Sequence, residues 1–266
     1  MNSEKTKQVN DKTFFKTLED KYVYLIAFLA GLIEIVLVPY LFLGPFLVYT
    51  SSNITSYKDI LENLQDNLIK YQGFMMSVAY IVTIALALVF LRKMFIDDFK
   101  DFKCHWKKYL LLVLIGIASI LAFAVLFDFL NEKLNIEGSS INQEAIEASL
   151  MGNGKWAMII SSAILAPIVE DLVFRKFLYG FLSKTKLHII FTTIIVALLF
   201  AFIHCTAEDF TKWVAYYFLL NYLALSLSIT IPFVLAKGNV YVSIIVHMFN
   251  NIYTLLVLYG VINAII

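Results

Sequence analysis

The chain has few charged residues and few cysteines for its length. Of its 266 residues, 15% are charged and 61% are hydrophobic, whereas a soluble domain is about half apolar and about a quarter charged. A soluble globule cannot hide this much apolar surface, and disordered or collagen-like chains hold far less of it. Two cysteines are too few for a disulfide scaffold, and a net charge of +1 gives no reason to expect nucleic acid as a partner. The composition therefore indicates a polytopic membrane protein.

Apolar segments that meet or approach the length of a membrane-spanning helix recur along the chain. Such a helix needs about 20 mostly apolar residues. The seven runs are 22–50, 71–91, 109–127, 156–182, 187–205, 213–236 and 239–266. We therefore expect an all-α fold, a polytopic helical bundle with about seven transmembrane helices. It forms a single integral membrane domain over residues 1–266.

The distribution of Lys and Arg predicts how the helices are oriented, because cytoplasmic connections are enriched in these residues. The tail 1–21 has five lysines and the connection 92–108 has six Lys or Arg, whereas each connection on the opposite side has one or two. We expect a multi-pass protein of the cell membrane with a cytoplasmic amino terminus. The mixture of aromatic residues and lysines in 92–108 also favours contact with membrane lipid.

A few polar residues interrupt the apolar runs, where an ionisable group costs at least about 2.5 kcal/mol. In the segment PIVEDLVFRKF (167–177), Asp171 and Arg175 are four residues apart and are expected to pair, which leaves Glu170 without a local partner. A further acid, Glu34, lies in the first run. Two more pairs with the same spacing lie on later helices, and their members are Phe200, His204, His247 and Asn251. These groups can satisfy one another only if they converge, so we expect the site in the interior of the last four helices.

This combination of side chains is suited to amide hydrolysis. A carboxylate and a neutral imidazole can hold and deprotonate a water molecule, and a second imidazole with an amide can stabilise an oxyanion. The same Glu170, His204 and His247 can instead bind a divalent metal such as zinc, which would activate the water. Because Asn is a poor zinc ligand, we expect no cofactor, and the metal-dependent scheme stays open as the alternative.

The order of these motifs resembles that of a known family. Glu-Asp-x-x-x-Arg (170–175), Phe-x-x-x-His (200–204) and His-x-x-x-Asn (247–251) are similar in order and spacing to the motifs of the CPBP family. That family comprises the CAAX prenyl endopeptidases and bacteriocin-processing enzymes, and is also called the Abi family. The chain departs from the usual pattern at Asp171, where the family has a second glutamate.

The resemblance implies an intramembrane endopeptidase that hydrolyses a peptide bond in a membrane-associated peptide or protein. Residues 156–266 would supply the catalytic core helices. The implied catalytic residues are Glu170 and His204, which activate water, and His247 and Asn251, which form the oxyanion site. The implied supporting residues are Asp171, Arg175 and Phe200. The expected partners are a peptide or protein substrate and membrane lipid, and the oligomeric state is left open.

Two other functions are compatible with parts of the pattern. A non-catalytic bacteriocin-immunity or peptide-binding membrane protein on the same scaffold would keep its function when Glu170 or His204 is replaced, whereas an enzyme would lose cleavage. A small transporter could use the buried charges to bind an ion. The transporter hypothesis does not account for the order of the motifs.

Overall fold

Helices make up the regular structure of the part of the chain that the structure describes. The computed structural model describes residues 22–33, 57–151, 154–258 and 260, and for 57–70 the backbone alone. No strand occurs within these ranges, which confirms the all-α prediction. The tail 1–21 and Glu34 lie outside the described residues.

The described residues form nine helices. They are α1 (Tyr22–Ile33), α2 (Tyr57–Phe90), α3 (Arg92–Cys104), α4 (Trp106–Leu134), α5 (Ile141–Leu150), α6 (Lys155–Ser183), α7 (Ile189–His204), α8 (Trp213–Leu235) and α9 (Val240–Leu258). By length and composition, α2, α4, α6, α8 and α9 can cross a membrane, while α1 and α7 are shorter apolar helices. Each of these seven helices overlaps one of the seven predicted apolar runs, although α2 begins 14 residues before its run and α4 extends beyond its run at both ends. A polytopic helical bundle is confirmed.

Local sequence signals account for several helix ends. The last helical residue of α4 is followed by Asn135, which has a left-handed backbone (φ 49°) and closes the helix. The side chain of Ser140 caps α5 by accepting a hydrogen bond from the backbone N–H of Gln143. Lys237 and Gly238 have positive φ, which lets the chain turn tightly from α8 into α9.

The central helix of the bundle is α6, the most buried of the five long apolar helices. It packs against α2, α5, α7 and α9, and α1 lies against it where Phe28 meets Phe174 edge to face. Two segments of α6, Ser161–Leu165 and Asp171–Leu178, have π-helical geometry, and Pro167 lies between them. Such wide turns are frequent at functional sites because they redirect side chains.

Polar contacts define two ends of the bundle. At the α3 end, which comprises α3 and the connections 184–188 and 236–239, Lys176 Nζ lies 2.6 Å from Asp98 Oδ2 and donates to the carbonyl of Gly238. At the α5 end, which comprises α5, Met151, Gly154 and the connections 135–140 and 205–212, the backbone N–H of Ile141 donates to Glu208 over 2.7 Å. Successive long helices run between these ends.

Candidate active site

Three helices bring one acid and two histidines together. Oε2 of Glu170 on α6 lies 3.8 Å from Nε2 of His204 on α7 and 3.7 Å from Nε2 of His247 on α9. All three side chains are at least four-fifths buried, with 14%, 17% and 4% of the side-chain surface exposed. Two imidazole nitrogens therefore converge on one carboxylate oxygen inside the bundle.

The orientation of His204 is set by its own helix and by two aromatic rings. Its Nδ1 lies 2.9 Å from the carbonyl oxygen of Phe200. Because a carbonyl only accepts hydrogen bonds, Nδ1 is the donor, and in the neutral ring Nε2 is then an acceptor that faces Glu170. The ring lies 4.5 Å from that of Phe200 and 5.1 Å from that of Tyr222, measured between centroids.

The second histidine is held from its other side by Asp171. Nδ1 of His247 lies 3.5 Å from Oδ2 of Asp171, and Oδ1 of the same carboxylate lies 3.1 Å from a guanidinium nitrogen of Arg175. Asp171 and Arg175 are fully buried, and they form the ion pair that their spacing predicts. Asp171 thus connects the buried cation to His247, so that Nε2 of the histidine points towards Glu170.

Helix α8 and Phe200 surround the rest of the guanidinium group. Arg175 donates to Ser226 over 3.1 Å and to Thr230 over 3.4 Å. Its guanidinium carbon lies 3.9 Å from the centre of the Phe200 ring, in a cation–π arrangement. A buried charge is tolerated when it is paired and hydrogen-bonded, and these contacts satisfy two of the three guanidinium nitrogens while the third faces Asp171.

The amide of Asn251 is fixed at the opposite wall of the site. Its Nδ2 donates to the backbone carbonyl of Ser162 over 2.7 Å, and its Oδ1 accepts from the amide of Asn250 over 3.1 Å. The carbonyl of Ser162 belongs to the first π-helical segment of α6. A primary amide has two N–H donors, so one N–H of Asn251 is left for a ligand.

A cavity of about 500 Å³ contains these groups. Its lining includes Glu170, Phe200, His204, His247 and Asn251, together with the amides and hydroxyls of α5 and of the connection before it. A cavity of this size with a few convergent polar groups is typical of a ligand site. It has room for a water molecule beside an extended stretch of peptide.

The structure brings together the seven residues predicted for the site, and it adds others that the sequence analysis did not name. Among them are Tyr222, which contacts His204, and Ser226 and Thr230, which bind Arg175. The signal for Ser226 and Thr230 was present, since they are polar and four residues apart in a largely apolar helix. Tyr222 gave no such signal, because tyrosine is common in membrane helices.

A catalytic zinc site needs three protein side chains directed at one point. Within the described ranges, no group of three or more His, Cys, Asp or Glu side chains is placed to hold a metal ion.

Comparison with known families matches the part of the chain that holds this site. Residues 152–253 match the family model of type II CAAX prenyl endopeptidases, described as Rce1-like. All seven predicted site residues fall within that segment. The resemblance inferred from the motifs is confirmed, because the matched segment carries all three of them and is similar to a family of intramembrane proteases.

A curated relative extends the comparison. The chain is 34% identical over 127 residues to UPF0177 protein YajF of Lactococcus lactis subsp. lactis (strain IL1403). The aligned part makes up 47% of this chain and 56% of the relative, so the chain spans little more than half the length of the protein it matches. No solved structure matches the chain.

Proposed function

We propose that the chain is an intramembrane endopeptidase of the cell membrane, in which Glu170 and His204 activate the water that cleaves a membrane-associated peptide or protein. The observation that carries the proposal is the approach of Glu170 Oε2 to Nε2 of both histidines, inside a cavity large enough for a peptide. The match of residues 152–253 to a protease family supports it.

The first step is deprotonation of water. In its neutral form with Nδ1 protonated, His204 offers Nε2 as an acceptor 3.8 Å from the Glu170 carboxylate. One water molecule can donate one hydrogen to each of these acceptors, which leaves its lone pair free to attack the scissile carbonyl carbon. Glu170 takes the proton as the new C–O bond forms, and the carbonyl π electrons move onto the oxygen.

The second step is stabilisation and collapse of the tetrahedral intermediate. His247, when both ring nitrogens carry a proton, turns Nδ1–H towards the Asp171 carboxylate 3.5 Å away and offers the Nε2–H to the oxyanion, while Asn251 offers its remaining N–H. When the C–N bond breaks, the proton held by Glu170 moves to the leaving amine. The products are a carboxyl group and an amine, and Glu170 is again a carboxylate.

Asp171 acts in this scheme as a positioning residue. Its carboxylate lies 3.5 Å from Nδ1 of His247 on one side and pairs with Arg175 on the other. Both contacts need a carboxylate with two oxygens, and neither needs the extra methylene of a glutamate. The departure from the usual family motif is therefore compatible with activity.

Isosteric substitution tests the proposed catalytic groups. We expect Glu170→Gln to abolish cleavage of quenched fluorescent peptides by the purified protein, because the amide cannot accept the proton of water. Asn251→Ala should lower kcat by about 10²–10³, the effect of losing one oxyanion donor. The matched control is Glu132→Gln, which changes a side chain that is 77% exposed and does not line the cavity.

The controls separate loss of chemistry from loss of structure. Each variant should keep the thermal unfolding midpoint of the wild type to within a few degrees. Cleavage that survives Glu170→Gln would refute the mechanism, and peptide binding without cleavage by the wild type would favour the non-catalytic immunity or peptide-binding function. A chelator should leave the rate unchanged; loss on chelation and rescue by zinc would establish the metal-dependent alternative.

A further inference from the structure

The cavity lies towards one end of the bundle. Its outer lining comes from the last turns of α4, the connection before α5, α5 itself and the first turns of α8, all at the α5 end. From α6 it takes the amino-terminal half, from α7 the carboxyl end and from α9 the carboxyl-terminal half. None of the residues of α3, or of the described connections 184–188 and 236–239, lines it.

The α3 end is closed by direct contacts between helices. Asn239 donates to the carbonyl of Asp98 over 2.7 Å, and the backbone N–H of Val240 donates to the Asp98 carboxylate. Lys176 reaches the same carboxylate from α6, and the hydroxyl of Tyr241 donates to the carbonyl of Phe95. These bonds join α3, α6 and α9 at the α3 end of the bundle.

The wall at the α5 end is polar. It includes Asp128, Asn131, Asn142 and Glu147. Helix α5 is fastened to α8 where Tyr222 meets Ser140 over 2.9 Å and Asn142 over 3.1 Å. A buried hydrolytic site needs a path for water through the membrane-spanning part of the protein. Polar side chains along the cavity wall between the α5 end and Glu170 provide such a path.

The two ends differ in their content of basic residues. The α3 end has nine Lys or Arg in its connections: Arg92, Lys93, Lys100, Lys103, Lys107, Lys108, Lys184, Lys186 and Lys237. The α5 end, with the part of α2 that precedes Tyr71, has five in a longer stretch of chain: Lys58, Lys70, Lys133, Lys155 and Lys212. Because short basic connections stay in the cytoplasm, this asymmetry favours a cytoplasmic α3 end.

We infer that the cavity opens away from the cytoplasm, and that the substrate is a peptide segment presented at the extracytoplasmic surface of the membrane. The identity of the ligand as a substrate rests on the proposed function. The direction in which the cavity opens depends only on the fold and on the distribution of its charges. It distinguishes this site from one that processes the tails of cytoplasmic proteins, since such a tail would meet the closed α3 end.

The natural cysteines provide a test that needs no activity. Cys104 is exposed on α3 and Cys205 is buried. In a C205S chain, Cys104 reports on the α3 end. In a C104S/C205S chain, M151C reports on the surface of the α5 end, where Met151 is 90% exposed, and S162C reports on the cavity. Intact cells are treated with a membrane-impermeant maleimide, and total reactivity is measured after permeabilisation.

We expect M151C and S162C to react in intact cells with no gain on permeabilisation, and Cys104 to react only after it. Reaction of Cys104 in intact cells, or of S162C only from the cytoplasmic side, would overturn the inference. The inference would also be overturned if M151C reacts in intact cells and S162C does not react at all. If the S162C chain fails to fold, T254C serves as the second reporter of the cavity.

The same labelling in the E170Q background should be unchanged. A chain that cleaves peptides but labels from the cytoplasm would keep the proposed function and lose the direction of access. A chain that is labelled from outside but never cleaves peptides would keep the direction of access and lose the proposed function.

Discussion

At the scale of single residues, the site depends on buried polar groups that hold one another in place. Asp171 and Arg175 are fully buried, and their charges are separated by only 3.1 Å between the nearest oxygen and nitrogen. Breaking such a pair by removing one partner leaves an uncompensated charge and costs about 3–5 kcal/mol. The pair is also connected to the chemistry, because Asp171 faces His247.

A double substitution can separate these two roles. Asp171→Asn keeps the shape and removes the charge, so we expect the free energy of unfolding to fall by about 3 kcal/mol and kcat to fall with it. Adding R175M removes the stranded cation, and should restore most of the stability without restoring kcat, because His247 still lacks its carboxylate. Unfolding in detergent followed by circular dichroism, and kcat on the same samples, measure both. Recovery of the wild-type kcat by the double variant would contradict a positioning role for Asp171.

At the scale of helices, the position of α6 depends on close approaches that only small residues permit. A Cβ atom on Gly73 of α2 would lie 2.4 Å from the backbone nitrogen of Met158 on α6. Beside it, Ser77 donates to the carbonyl of Ala157 over 3.0 Å. At the other end of α6, Asp98 of α3 binds Lys176 of α6. Asp98 and the neighbouring Asp101 both accept hydrogen bonds from the amide of Asn239, so the four residues form one polar cluster.

The charge state of that cluster follows from its hydrogen bonds. Burial opposes ionisation of Asp101, but the hydroxyl of Tyr109 and the amide of Asn239 donate to its carboxylate. The pKa of Asp101 is therefore lower than usual. An ionised acid here keeps α3 attached to α4 and α9 at neutral pH.

The contact between α2 and α6 yields a prediction for Gly73. Gly73→Ala should destabilise the protein by about 1–3 kcal/mol, because the methyl group meets backbone that cannot move aside without separating the helices. This would exceed the gain of about 1 kcal/mol that alanine brings inside a helix. Leu88→Ala, on the same helix but half exposed, is the control and should change stability by about 0.5 kcal/mol or less. A Gly73→Ala chain with an unchanged unfolding midpoint would refute the close packing.

At the scale of the whole molecule, the helices outside the matched segment complete the bundle around the site. Helix α4 packs against α8 and α9, and a Cβ on its Gly116 would lie 2.9 Å from the methyl groups of Val246, the residue before His247. Helix α2 packs against α5 and α6 and contributes Gln72, Met76 and Tyr80 to the cavity. This packing favours a single domain rather than a catalytic half that stands alone.

Splitting the chain tests this organisation. We expect residues 154–266 alone to lack cleavage, and co-expression with residues 1–153 to restore it, since inserted helices associate through packing and interhelical hydrogen bonds. A 1–153 fragment that carries G73A should restore less, because it approaches α6 poorly. Peptide cleavage by membranes from each strain is the measurement. Full activity of 154–266 alone would mean that the first half is dispensable for the site.

The sequence by itself determined the membrane class, the seven apolar runs and the local pairs, because these depend on composition and on the repeat of a single helix. The ion pair of Asp171 with Arg175 and the contact of Phe200 with His204 follow from a spacing of four residues. Only the tertiary structure decided that Glu170 meets both histidines. On straight helices with a rise of about 1.5 Å per residue, these three side chains would lie at different depths. Their convergence depends on how α6, α7 and α9 are shifted along one another and on the wide turns of α6. The residue pattern within a single helix carries no information about either.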